Sequence, residues 1–213
     1  MKLKRWKICL AGMGLLITQL VLAHSTGKSV DTAVEISAEE ISQSPLIHNL
    51  PVTFGGDFNL VDQHHNPVSP ESLRGKYVLV FFGYVNCKNM CSLTLERIAK
   101  ALDLLGSDLA QLTPLVVTVD PLRDTPETLG PALKKFHPSL LGLSGSADQL
   151  RQAYNAYKLK PAVVEDDWQG DPVVSHSSYI YLMDRQGRFA TLFPPILDPE
   201  SMARIMRKYI QQG

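Results

Sequence analysis

Tyr77-Val-Leu-Val-Phe-Phe82, a loop over 83–89, and Ser92-Leu-Thr-Leu-Glu-Arg97 running on to Leu105 form the stretch that decides the fold. The first part is a short, unbroken apolar run rich in aromatic and branched side chains, the pattern of a strand buried on both faces. The second part places Leu95, Ile98, Leu102 and Leu105 on one side of a helix over 92–105, and Gly106 ends it. A buried strand that feeds a helix through a short loop is the opening half of a parallel crossover.

Downstream, 115–119 is a second buried strand and 120–124 a loop. Thr125-Pro126-Glu127 starts a helix with a capping Thr and Pro at the first helical position. It runs to about 136, with Gly130 and Pro131 straining its early turns. A strand over 140–143 and a helix over 146–157 follow. The stretch 163–171, with Glu165, Asp166, Asp167 and Gly170, reads as an exposed excursion between strands. Strands over 178–183 and 188–193 flank a tight turn at 184–187, and a helix over 199–210 closes the chain. Upstream, a strand over 54–61, a turn over 62–66 and a segment over 67–73 suggest an opening hairpin. Strands alternating with helices imply a three-layer α/β fold: a mostly parallel central sheet covered on both faces, with added hairpins.

The two ends differ from this body. Lys2, Lys4, Arg5 and Lys7 precede an apolar run from 8 to 23 that ends in Val21-Leu22-Ala23. A basic patch, an apolar run shorter than the ~20 residues of a spanning helix and a small-residue end read as a signal peptide over 1–23, cleaved after Ala23. Retention of 8–23 as a membrane anchor is the other reading. Cys9 lies at the start of the run, so no lipoprotein acylation pattern is present. Residues 24–45 are polar and read as a flexible tether, leaving 46–213 as one domain. Cleavage removes four basic residues and no acidic one from a chain balanced at 21 basic and 21 acidic residues. The mature chain is then mildly acidic, which speaks against a nucleic-acid partner. Nothing in the sequence argues against a monomer.

Cleavage also leaves Cys87 and Cys91 as the only cysteines. They lie between a buried strand and a helix, where α/β folds place their sites. The helix N-terminus favours thiolate, the form that binds metal and attacks disulfides. In a fully helical C-x-x-x-C the β-carbons stand about 5–6 Å apart, whereas a disulfide wants about 3.8 Å. The spacing leans towards a shared metal without forbidding a disulfide. Two thiolates make a soft, incomplete site that selects Cu(I), and an added imidazole lets it hold Cu(II) or zinc. His176, just before a strand, is the candidate third ligand. Taken alone it reads first as a strand-end histidine bonded to backbone; only a family context reverses that order.

Four segments in order resemble the Sco/SenC family of copper proteins that serve cytochrome c oxidase assembly, over 54–193. They are Gly75-Lys-Tyr-Val-Leu-Val-Phe-Phe-Gly-Tyr84, Cys87-Lys-Asn-Met-Cys91, Val119-Asp-Pro-Leu-Arg-Asp-Thr-Pro-Glu127, and His176-Ser177 with Tyr181-Leu-Met-Asp184. The resemblance implies a thioredoxin-like fold, with copper as Cu(I) or Cu(II) held by Cys87, Cys91 and His176. It implies a metallochaperone exported to the bacterial periplasm, whose partner is a copper-receiving oxidase subunit or another exported copper or thiol protein. The alternative is a thiol-disulfide oxidoreductase in which Cys87 attacks and Cys91 resolves. A peroxidase-like reductant would need an arginine at the cysteines, and none is placed there. The chain departs from the family pattern at Lys88 and Ser92, where proline is usual after each cysteine, and at Ser175, where aspartate is usual before the histidine.

The remaining candidates have plainer readings. His64 and His65 point to opposite faces and belong to a solvated turn. His137 is a helix C-terminal charge partner, His24 an adventitious chelator at a new N-terminus, and Met90 a packing residue. Asp124 reads as part of a helix-capping loop. Asp120 is divided between that role and orienting the site. Glu165, Asp166 and Asp167 read as a solvated loop.

Overall fold

The computed structural model describes residues 53–85, 90–166 and 172–212. The expected leader 1–23 and tether 24–45, with Cys87, Lys88 and Asp167, lie outside the described residues. The elements in chain order are β1 (Leu60–Asp62), β2 (Pro67–Val68), a 3-10 turn (Glu71–Leu73), β3 (Tyr77–Gly83), α1 (Met90–Leu105) and a second 3-10 turn (Gly106–Gln111). Then come β4 (Leu112–Thr118), α2 (Pro126–Lys134), β5 (Leu141–Ser144), α3 (Ala147–Ala156), β6 (Ala162–Asp166), β7 (Pro172–Ser175), β8 (Ile180–Met183), β9 (Phe189–Phe193) and α4 (Pro199–Gln212).

One seven-stranded sheet runs β2-β1-β5-β4-β3-β8-β9. Its centre is parallel, with β3 on β4 and β4 on β5. Antiparallel hairpins complete both sides, β1 with β2 and β8 with β9. Every residue of β3 is buried, as expected for a central strand covered on both faces. Register and alternation assign the layers. Tyr77, Phe81 and Gly142 share one face; Phe82, Leu143 and Tyr181 share the other.

On the first face, Tyr77 Oη donates to the Tyr209 carbonyl of α4 at 2.8 Å, Gly142 lies under Leu129 and Leu133 of α2, and α1 packs on α4. Right-handed crossovers from β3 to β4 and from β4 to β5 require α1 and α2 to share a face. On the second face, Phe82 meets Tyr154, Tyr157 and Tyr181, and Tyr181 meets Phe54. The helix face of α1 holds Leu95, Ile98, Leu102 and Leu105, all buried.

Several boundaries differ from the sequence reading, each for a local reason. The strand expected over 54–61 shrinks to Leu60–Asp62. Gly55 and Gly56 take φ of +92° and +154°, which breaks extended pairing, and Gly55 N–H donates instead to the Ala156 carbonyl. Strand β4 starts earlier, at Leu112, through Pro114. Only residues 115–117 pair with β5, so Pro114 sits where β4 has one neighbour and needs one fewer donor. Helix α2 ends at Lys134, where the chain tightens into bonds from Lys135 N–H to the Ala132 carbonyl and from Phe136 N–H to the Leu133 carbonyl. Thr125 occupies the N-cap position but makes no side-chain capping bond. Its hydroxyl pairs with Glu127, whose carboxyl is held below its usual range, first by that bond.

The acidic excursion contains two strands rather than a plain loop. Strands β6 and β7 pair antiparallel, with a bulge between Val163 and Glu165. Val163 and Val164 are branched residues that favour a pleated backbone even when exposed. His137 is buried and pairs away from its own helix. Its Nε2 lies 3.3 Å from Asp103 Oδ1 of α1, and its Nδ1 accepts from Ser139 N–H at 3.1 Å. His64 and His65 belong to a turn, as read, and His65 Nε2 meets Glu127 Oε1 at 2.9 Å on the surface. Among the described residues no helix is long and apolar enough to cross a membrane.

Candidate metal centre

Strands β3, β4 and β5 are parallel, so their C-terminal ends, at Gly83, Thr118 and Ser144, open at one edge of the sheet. Cys91 is the second residue of α1, the helix that follows β3. Its place in the first turn puts the sulfur near the N-terminal helix amides and the positive end of the helix dipole. His176 follows β7 and precedes β8, which lies beside β3.

These two residues meet. Cys91 Sγ lies 3.3 Å from His176 Nε2. The other ring nitrogen, Nδ1, lies 2.9 Å from the Ser177 carbonyl oxygen. A carbonyl can only accept, so Nδ1 carries the proton, and in the neutral ring Nε2 presents a lone pair towards the sulfur. Metal-binding histidines characteristically donate their second N–H to a carbonyl or carboxylate. The Ser177 carbonyl fills that role where Ser175 replaces the family's aspartate. One ring nitrogen is thus bonded to backbone, and the other faces Cys91.

The separation fits a shared metal ion. Thiolate and imidazole ligands about 2.3 Å and 2.0–2.1 Å from a first-row ion stand about 3.5 Å apart at a tetrahedral angle. Aromatic rings wall the imidazole: Phe81 has its ring centroid 6.4 Å away and Tyr84 6.3 Å, both edge-on. Cys87 stands in the sequence two residues after Val85 and three before Met90, outside the described residues. Among the described residues no group of three His, Cys, Asp or Glu side chains gathers.

The loop after β4 supports this edge. Asp124 is fully buried, which corrects its reading as part of a helix cap. Its Oδ2 accepts from Val85 N–H at 3.1 Å and from the Thr118 hydroxyl at 2.9 Å. Its backbone carbonyl accepts from the Ser144 hydroxyl at 3.0 Å. One residue therefore ties together the ends of β3, β4 and β5. Its Oδ1 is buried with no hydrogen-bond partner. Burial lifts the carboxyl to about 6, against the Thr118 and Val85 bonds that lower it.

Asp120 is also buried. Its N–H donates to Thr118 Oγ1 at 2.9 Å, its carbonyl receives Asp124 N–H, and its carboxylate pairs with Arg123. The Arg123 guanidinium lies 5.5 Å over the Tyr84 ring. Arg123 and Tyr84 are contributors the sequence reading missed as such. Both lie within quoted segments, and no local pattern joined them.

The SCO1/SenC family model matches residues 48–211. The chain belongs to the SCO1/SenC family. It is 33% identical over 158 residues to a SCO2-like protein of Rickettsia conorii, covering 73% of this chain and 77% of that protein. Among solved structures it resembles Bradyrhizobium japonicum ScoI with copper bound, at 37% identity and a TM-score of 0.68, over 73% of this chain and 99% of that one. Yeast Sco1 with copper bound matches at 31% identity and a TM-score of 0.68, over 76% and 91%. These likenesses and the sheet order establish the thioredoxin-like fold expected from the sequence. In this SCO1/SenC protein Cys91 meets His176 at the edge where the parallel strands end.

Proposed function

We propose that this protein is a copper metallochaperone, binding copper through Cys87, Cys91 and His176 and assisting maturation of the copper centre of cytochrome c oxidase. The observation that carries the reading is the 3.3 Å approach of Cys91 Sγ to His176 Nε2, with the ring proton committed to the Ser177 carbonyl. Thiolates suit Cu(I), and the imidazole extends the set to Cu(II). The copper named for the Bradyrhizobium and yeast relatives supports the choice of metal. The ion is cargo: it passes to an oxidase subunit, or another exported copper or thiol protein, by exchange of ligands across a transient interface. The family resemblance supports that partner.

The leader supports export to the bacterial periplasm. Residues 1–23 act as a signal peptide, or residues 8–23 remain as an inner-membrane anchor, with 24–45 as tether to a monomeric domain over 46–213. An exported product whose N-terminal residue is His24 supports cleavage; a membrane-bound product that keeps Met1 shows the anchor.

The test of function is copper stoichiometry on the full-length, fully reduced protein under competition with a Cu(I) chelator. Wild type is expected to retain one copper, and Cys87→Ser with Cys91→Ser, or His176→Ala alone, to lose it. If reduced wild type retains no copper while its dithiol still exchanges with disulfides, the oxidoreductase reading replaces this one.

A further inference from the structure

The loop between β4 and α2 reaches the two halves of the site through separate contacts. Asp124 holds Val85 N–H, on the segment that leads from β3 to Cys87. Arg123, the preceding residue, holds the ring of Tyr84, and that ring stands against His176. We propose that Asp124 and Arg123 are positioning residues, a two-point clamp by which one loop holds both Val85, two residues before Cys87 in the sequence, and the Tyr84 ring against His176. The purpose of the clamp rests on the copper reading; its geometry does not.

Three observations favour a positioning role over simple cohesion. Asp124 is a fully buried carboxyl with one oxygen unpartnered, a costly group to place where a neutral acceptor would serve cohesion alone. An ionised acceptor makes a bond to Val85 N–H about twice as strong as a neutral one, and so a stiffer one. Arg123 is itself oriented: Asp120 engages its Nε while the guanidinium lies over Tyr84. A planar, forked cation can meet both partners; an ammonium group cannot stack in the same way. The backbone bonds from Arg123 N–H and Asp124 N–H to the Asp120 carbonyl lock the two side chains into one turn, so that neither contact moves alone.

The experiment uses the full-length protein with Asp124→Ala, Asp124→Asn and Arg123→Lys. Three quantities are read: the His176 imidazole NMR shifts in the metal-free protein, the thiolate-to-Cu(II) absorption band, and the rate of copper loss to a chelator. Asp124→Ala is expected to shift the His176 resonances, move the band and speed copper loss about 10–100-fold, the usual range for groups that orient metal ligands. Asp124→Asn keeps a neutral oxygen for Val85 and Thr118, weakens the bond to Val85 N–H, and is expected to fall between wild type and Asp124→Ala. Arg123→Lys keeps the charge, loses the stacking, and moves the His176 shifts and the band. The proposal is overturned if Asp124→Ala and Arg123→Lys lower the melting temperature yet leave all three quantities at wild-type values. Should Asp124→Ala fail to fold, Arg123→Lys, at a partly exposed side chain, decides alone. A wild type that takes up no copper defeats the copper reading, and the metal-free His176 shifts still decide the clamp.

Discussion

Cys91 Sγ and His176 Nε2 meet at 3.3 Å across 85 positions of sequence, one carried by the first turn of α1 and the other by the segment between β7 and β8. The meeting is a product of sheet order. Strand β8 pairs antiparallel with β3, Ile180 opposite Phe81, so the residues just before β8 return to the edge from which β3 departs towards α1. A thiol–imidazole pair of this kind needs no local sequence motif on the histidine side; it needs β8 next to β3.

Removing His176 separates metal binding from redox chemistry; removing Cys91 does not. His176→Ala is expected to weaken copper retention by at least about 10-fold, since it deletes a ligand rather than a group that orients one. Dithiol exchange with a small disulfide should stay near wild type, because neither sulfur is lost. Cys91→Ser should abolish both. Chelator competition and a disulfide-exchange assay on the same preparations check the pair. Equal loss of both activities in His176→Ala would show that the imidazole serves the thiols and not a metal.

Gly83 ends β3 beside the ring that walls the imidazole. A Cβ there would stand 2.5 Å from Phe81 Cε1, and Phe81 in turn packs on His176. Phe81 is fully buried and has little room to yield. Gly83→Ala should therefore destabilise the fold by about 1–3 kcal/mol, the usual cost of overpacking, and shift the His176 ring resonances. Urea unfolding and NMR read the two effects. Unchanged resonances with lowered stability would show that Phe81 yields without moving the imidazole.

Helix α3 provides a contrast remote from the metal edge. Ser146 and Gln149 form a complete capping box: the serine hydroxyl accepts from Gln149 N–H at 3.3 Å, and the glutamine side chain accepts from Ser146 N–H at 2.9 Å. Ser146→Ala removes the acceptor of Gln149 N–H, leaves the backbone N–H at 146 bonded to the glutamine side chain, and should cost about 1 kcal/mol. Its copper retention and His176 resonances should match wild type. A changed copper-loss rate would reveal coupling from α3 through Tyr154, whose hydroxyl donates to the Thr118 carbonyl at 2.8 Å.

Where periodicity was strong, the sequence was legible. The apolar run of β3 and the spaced leucines of α1 predict buried elements, and both are buried. The opening strand was over-read because Gly55 and Gly56 turn the chain in a way hydrophobicity does not encode. The β6–β7 ribbon was under-read because its acidic residues masked a branched, pleat-forming pair. Cys91 was singled out by its spacing and His176 by the family resemblance, and no local pattern told that the two side chains meet. Asp124 was misread because Asp-Thr-Pro is a good local signal for a helix start, whereas its burial is decided by three strand ends closing around it. The contact of Arg123 with Tyr84 spans two loops and leaves no trace in either segment alone.

Asp124 also sets a pH dependence whose sign follows from its raised pKa. Its carboxyl moves from 3.8 to about 6, first because of burial; Asp120 adds to the rise, and Arg123, Thr118 and Val85 N–H oppose it. Below the lower value both folded and unfolded chains are protonated there, and the contribution to stability is complete. As pH rises, the unfolded chain ionises freely while the folded one resists, so stability falls until pH passes about 6 and is flat beyond. The loss is on the order of 3 kcal/mol. Asp124→Asn carries no titrating group and should lack this descent, so its stability relative to wild type should improve between pH 4 and 7 by roughly that amount. Urea unfolding of both proteins across this range tests it, since groups not coupled to Asp124 cancel in the difference. A constant difference would mean that the carboxylate is stabilised in the folded chain as well as in water, and that Oδ1 has acquired a donor.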